Sequence, residues 1–164
     1  MTTEPLHYWS LARLGKALRN RDLSSVEVTQ HFLDRIEHLD PTLNAFRLKT
    51  PERAMEAAKA ADALAARGQW LGPLHGLPYA AKDLYDVAGL PTSAGARVLE
   101  GAVTDTDSTV TARLAGNGMV LLGKTNTVQF AYGGVGINHD HGTPQNPWHE
   151  TPHVPGGSSS GSGV

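Results

Sequence analysis

A lysine closes a short apolar stretch, Leu77-Pro78-Tyr79-Ala80-Ala81-Lys82. The run predicts a buried strand. A lysine at its end, between Ala81 and Asp83, loses part of its hydration. Desolvation disfavours the ammonium and lowers its pKa, which lets a lysine act as a general base near neutral pH. Pairing of Lys82 with Asp83 or with solvent is the plainer reading of the same residues. A second stretch, Gly156-Gly157-Ser158-Ser159-Ser160-Gly161-Ser162-Gly163, combines glycines and hydroxyls. Glycine lets the backbone approach a substrate closely. Hydroxyls in succession can relay a proton or donate to an oxyanion. By composition the stretch also reads as a flexible linker.

Other chemistries fit less well. A phosphate-cradling loop ends in Gly-Lys-Ser/Thr, whereas Gly161 is followed by Ser162 and Gly163. The G-x-S-x-G spacing of a nucleophile elbow occurs here only by accident of composition and is discounted. His139, His141, His149 and His153 crowd one segment. Imidazoles are common zinc ligands, but the segment is rich in Pro and Gly and lacks HExxH spacing. Surface-loop histidines are the better reading, and no metal site is assigned. The chain has 164 residues, a formal net charge of −2 and no cysteine. The charge argues against a nucleic-acid surface. The lack of cysteine excludes disulfides and thiolate chemistry and fits a reducing compartment. The first residues lack the apolar run of a signal peptide, and no stretch is long enough to span a membrane. A cytoplasmic protein is expected.

The elements that must position these residues change character along the chain. Before Gly68 the pattern is helical. Ser10 can cap a helix carrying Leu11, Leu14 and Leu18 on one face. Ser24 and Glu27 form a capping box for a second helix with Val28, Phe32, Ile36 and Leu39 inward and Pro41 after its end. A third helix runs from Pro51 to Arg67 with a narrow alanine face, closed by Gly68. After Gly68 glycine and turn residues dominate. A helix is predicted over Thr104 to Asn117, capped by Asp107 or Ser108, with Val110 and Leu114 inward. Met119-Val120-Leu121-Leu122 predicts a central strand buried on both faces. A short helix over Thr127 to Tyr132 and a loop from Gly133 to Trp148 follow. Helix-strand alternation points to α/β architecture.

Taken in order, the motifs resemble the amidase signature family. They are Gly76-Leu77-Pro78 running to Lys82-Asp83, then Gly123-Lys124-Thr125-Asn126 as a turn. Gly142-Thr143-Pro144-Gln145-Asn146-Pro147-Trp148 and Pro155-Gly156-Gly157-Ser158-Ser159 follow. The resemblance covers about residues 70 to 164. It implies an α/β fold of N-terminal helices plus part of a mixed sheet, incomplete here, with the strands near 77–82 and 119–122 central. Residues 1–68 would be the helical N-terminal region and 69–164 the first part of the α/β core.

The resemblance also implies a Ser–cis-Ser–Lys triad, with Lys82 as base and Ser158 as the bridging serine. It places substrate contacts at Gly133, Gly134, Val135, Gly157 and Ser159. The implied activity is hydrolysis of carbon–nitrogen amide bonds in a small-molecule amide, without a cofactor. A homodimer of the full-length protein fits that picture. The family's nucleophile lies in a later Asp-x-Gly-Gly-Ser motif, and this chain ends at Val164 without it. An inactive fragment is therefore one reading of the chain as written. Another is the A subunit of a glutamine-dependent amidotransferase. The loop Ala131-Tyr132-Gly133-Gly134-Val135-Gly136 departs from the pattern of those subunits and leans toward a free-standing amidase. Leu84 and Ser160 stand where Asn and Gly are frequent.

Overall fold

The computed structural model describes residues 4–164. Helix α1 spans Leu11–Asn20, and the Ser10 side chain accepts from the Arg13 amide, as its position predicts. Helix α2 spans Ser25–Leu43. Its free amides are satisfied in sequence. Asp62 accepts from Ser25 N at 2.7 Å and Val26 N at 3.0 Å, and Ser24 Oγ accepts from Glu27 N at 3.1 Å. Glu27 returns the bond to Ser24 N at 2.8 Å, completing the capping box. The Ser24 amide and hydroxyl hold the Glu27 carboxyl below its ordinary pKa. Pro41 lies inside the last turn of α2 rather than beyond it. So close to the end, its missing N–H costs the helix little.

Asp62 reaches α2 from helix α3, Pro51–Ala66. Replacing it with alanine strips acceptors from two part-buried helix-end amides. Asp62→Ala should lower stability by about 2 kcal/mol, read as a shifted urea midpoint with unchanged slope.

Three strands form one sheet. They are β1 (Phe46–Lys49), β2 (Pro78–Lys82) and β3 (Val120–Thr125), in the order β1-β3-β2. Strand β1 is antiparallel to β3, with Leu48 opposite Lys124 and an irregularity between Phe46 and Leu48. The bonds Val120 N to Leu77 O and Asp83 N to Thr125 O advance in the same sense on both strands, so β2 and β3 are parallel and the sheet is mixed. The segment around 119–122 is central, as expected. Among the described residues β2 is an edge strand, not a central one. Strand β3 also continues through Gly123-Lys124-Thr125, which the motif suggested as a turn, and all six of its residues are buried.

Contacts divide the chain into two compact units. One contains Met1–Ile36, Thr50–Tyr79 and Arg113–Leu122, and the other Glu37–Lys49, Ala80–Ala112 and Gly123–Val164. The first unit holds the apolar core. Leu14, Leu18, Val28 and Leu77 form one buried cluster, flanked by Trp9, Phe32 and Met119. Ala54 and Ala58 pack with Val120 and Leu122 in another. The alanine face of α3 leaves room for that close approach.

The second unit is loop-rich and held by polar groups. Helix α4 is shorter than predicted, Thr109–Gly116. Asp107 accepts instead from Ala88 N at 2.7 Å, and Ser108 takes the start of the helix, its Oγ facing Thr111 N at 3.4 Å. Thr111 points inward and donates to Asp86 O at 2.6 Å, whereas Val110 is 46 % exposed and does not face the core. The predicted helix over 127–132 is a single 3-10 turn, Gln129–Ala131. Ser160–Gly163 forms a last short helix, α5, so the Gly/Ser stretch is not an open linker.

Candidate active site

Strand β2 delivers Lys82 at its end, and Asp83 opens the turn that follows it. The two side chains take different partners. Lys82 Nζ lies 2.7 Å from Ser158 Oγ, across 76 positions of sequence. Asp83 instead pairs with Lys124 Nζ at 2.7 Å. The pairing of Lys82 with Asp83 is not formed, and among the described residues no carboxylate pairs with Lys82.

Ser158 follows a cis peptide from Gly157. Its carbonyl accepts from Val128 N at 3.0 Å and Thr127 Oγ1 at 2.9 Å. Thr127 is itself buried, and its carbonyl accepts from Asn138 Nδ2 at 2.7 Å. Asn138 also donates to Gly95 O at 2.8 Å, and its Oδ1 accepts from the amides of Asp140 and His141. A chain of satisfied polar groups thus holds the segment carrying the hydroxyl. Beyond Ser158, Gly161 N donates to Asn126 O at 2.9 Å, and Asn126 N donates to Ala45 O at 2.8 Å.

Gly133 and Gly157 are brought together. A methyl at Gly157 would fall 2.8 Å from Gly133 O and 2.9 Å from Gly136 N. Such spacing admits only glycine. Gly134 has open space on its side-chain face, Val135 is 52 % exposed, and Ser159 is exposed just ahead of α5.

Burial holds the Lys82 ammonium below the ordinary lysine pKa. The sign of the consequence is definite. The unfolded chain binds the proton more tightly, so stability contributed at Lys82 rises with pH between its folded value and the ordinary one. Below that window the partly desolvated ammonium is a penalty in full. Lys82→Met should therefore flatten the rise in melting temperature on the alkaline side, and parallel curves for the two proteins would contradict this.

The histidine segment brings no ligand set together. Among the described residues no group of three or more His, Cys, Asp or Glu side chains could hold a metal ion. His149 and His153 stack obliquely, ring centres 4.4 Å apart, on an exposed loop. Among the described residues no helix is long and apolar enough to cross a membrane.

The residues that sequence reasoning missed are those that hold the site. Lys124, Ser93, Thr127 and Asn138 are buried polar groups whose partners lie far away in sequence. The Gly123-Lys124-Thr125-Asn126 motif contained one of them, but nothing local says which carboxylate its lysine meets.

Comparison with known proteins follows the same lines. The chain is 46 % identical over 153 residues to the A subunit of the glutamyl-tRNA(Gln) amidotransferase of Thermobifida fusca, covering 93 % of this chain and 30 % of that protein. The native peptide amidase of Stenotrophomonas maltophilia superposes with a TM-score of 0.89 at 36 % identity, covering 96 % of this chain and 34 % of that one. A bacterial aryl acylamidase of the amidase signature family gives the same TM-score at 31 % identity, over 96 % of this chain and 33 % of that one. The chain thus spans about a third of the length of these relatives. Residues 27–164 match the family described as Amidase, which takes in the strands, the Lys82–Ser158 contact and the segments that hold it, and the chain belongs to that family.

Proposed function

We propose that this chain carries the base and the bridging hydroxyl of an amide-hydrolysing site, and that a further serine of the whole protein is the nucleophile. The observation that supports the reading most is the 2.7 Å contact between Lys82 Nζ and Ser158 Oγ. Neutral Lys82 accepts the Ser158 proton as Ser158 Oγ accepts the proton of the attacking serine. The serine oxygen bonds to the amide carbon, and the carbonyl electron pair moves onto oxygen. Collapse breaks the C–N bond, and the departing amine takes a proton returned through Ser158 from Lys82. Water then attacks the acyl-enzyme by the same relay, freeing the acid and regenerating the serine. Gly133, Gly134, Val135, Gly157 and Ser159 would contact the small-molecule amide. The relay uses no cofactor.

A second reading has its own support. The relatives at 44–46 % identity are amidotransferase A subunits. On that reading the same site releases ammonia from glutamine for a partner subunit. The experiment is to assay the whole protein on a panel of amides and on glutamine, alone and with added subunits. Turnover alone supports the free-standing amidase, and glutamine turnover that needs the subunits supports the second reading. Failure under every condition would overturn both.

A further inference from the structure

We propose that Lys124 is a positioning residue of this site, neutralising the Asp83 carboxylate next to Lys82 while pinning the end of β2 and the turn that carries Asp83. The inference rests on the reading of Lys82 as the base. It starts from a pair that the relay does not use. Lys124 is fully buried and Asp83 is 2 % exposed, in a unit with few other buried charges. All three donors of Lys124 are engaged, by Asp83 Oδ1 at 2.7 Å, Thr92 Oγ1 at 2.7 Å and Pro91 O at 2.9 Å. The second oxygen of Asp83 accepts from Ser93 N at 3.2 Å and from Ser93 Oγ. The backbone joins the two strands at the same point, where Asp83 N donates to Thr125 O at 2.9 Å.

Buried ion pairs are costly to form and are often replaceable by neutral groups. A pair placed one residue from a candidate base has an electrostatic consequence as well. A bare Asp83 carboxylate would favour the Lys82 ammonium and disable the base. A bare Lys124 ammonium would do the opposite. With both present the two fields largely cancel, and burial is left to act on Lys82, which is the cause of its lowered pKa. The groups bearing on Lys82 are thus the Ser158 hydroxyl from the Gly157–Ser158 segment, Asp83 from the turn after β2 and Lys124 from β3.

The test reads Lys82 directly, without turnover. Intact protein is labelled with trace acetic anhydride at one pH below the ordinary lysine range, and Lys82 is compared by mass spectrometry with exposed Lys16. Lys124→Met should slow Lys82 labelling by about tenfold, and Asp83→Asn should speed it. The double variant, which leaves no unpaired charge, should return within about twofold of the parent. Where a single variant loses the parent's cooperative melt, the double variant carries the test. Single variants that move Lys82 in the same direction, or a double variant that stays displaced, overturn the proposal. A double variant that cannot fold also overturns it, because the pair would then be a structural clamp. Turnover of the whole protein that survives Lys82→Ala would remove the base assignment and leave the labelling shifts standing. Absent shifts with turnover abolished by Lys82→Ala would do the reverse.

Discussion

Lys82→Ala in the whole protein is expected to lower kcat for amide hydrolysis about a thousandfold or more, and Ser158→Ala to do nearly the same. On the proposed reading the two groups act as one relay, so each is useless without the other. Removing the amine leaves the bridging hydroxyl with nowhere to send its proton. Removing the hydroxyl takes away the group that passes the nucleophile's proton to the amine. The double variant should therefore be no slower than the worse of the two singles. Independent contributions would multiply instead, and that result would contradict a relay. The effect should fall on kcat with KM little changed, because neither group is assigned to substrate binding. Lys82→Arg should not rescue activity, since a guanidinium stays charged and cannot accept a proton. Fold integrity is checked by the melt, since both side chains sit on segments held by backbone bonds rather than by their own tips.

The largest effect on stability is expected at Gly161. It sits at the start of α5 with its α-carbon against two other segments. A methyl added there would lie 2.0 Å from Ala45 O and 2.6 Å from Asn126 N. Both are backbone atoms, so no side chain can rotate away and the main chain must move. The bond from Gly161 N to Asn126 O would stretch with it. Gly161→Ala should cost about 3 kcal/mol, a fall of roughly 6–12 °C in Tm for a chain of this size. Gly134→Ala is the control. Nothing lies within 4 Å of its added methyl, and its stability should change by no more than about 0.5 kcal/mol. Equal effects at the two positions would show that packing at Gly161 is looser than its geometry requires. Because Gly161 lies three residues past Ser158, its variant should also lose turnover out of proportion to the fraction unfolded.

Local chemistry made several elements legible without the fold. The caps of α1 and α2, Ser10 and the Ser24–Glu27 box, act within one turn of their own helix. The apolar run at 119–122 could be read as a buried middle strand because four consecutive apolar residues have nowhere else to go. The ordered motifs around Lys82 and Ser158 carried the family resemblance. Strand β1 was not legible. It has four residues, and its only justification is the edge of β3 that it pairs with. The start of α4 was missed for a similar reason, since Asp107 and Ser108 are equivalent caps until the loop amide of Ala88 claims one of them.

The partners of the charged groups lay further still from what a sequence can settle. Composition left Lys82 free to pair with its neighbour Asp83, and left the Gly/Ser stretch free to be a linker. The end of β2 falls between Lys82 and Asp83. The meeting of β2 with β3 supplies Lys124, and the Asn126–Gly161 contact turns the serine stretch into a held segment. Residue type and order established what chemistry the chain could support. Which amine faces which hydroxyl, and which carboxylate is neutralised, depended on contacts between segments tens of residues apart, which only folding brings within hydrogen-bond reach.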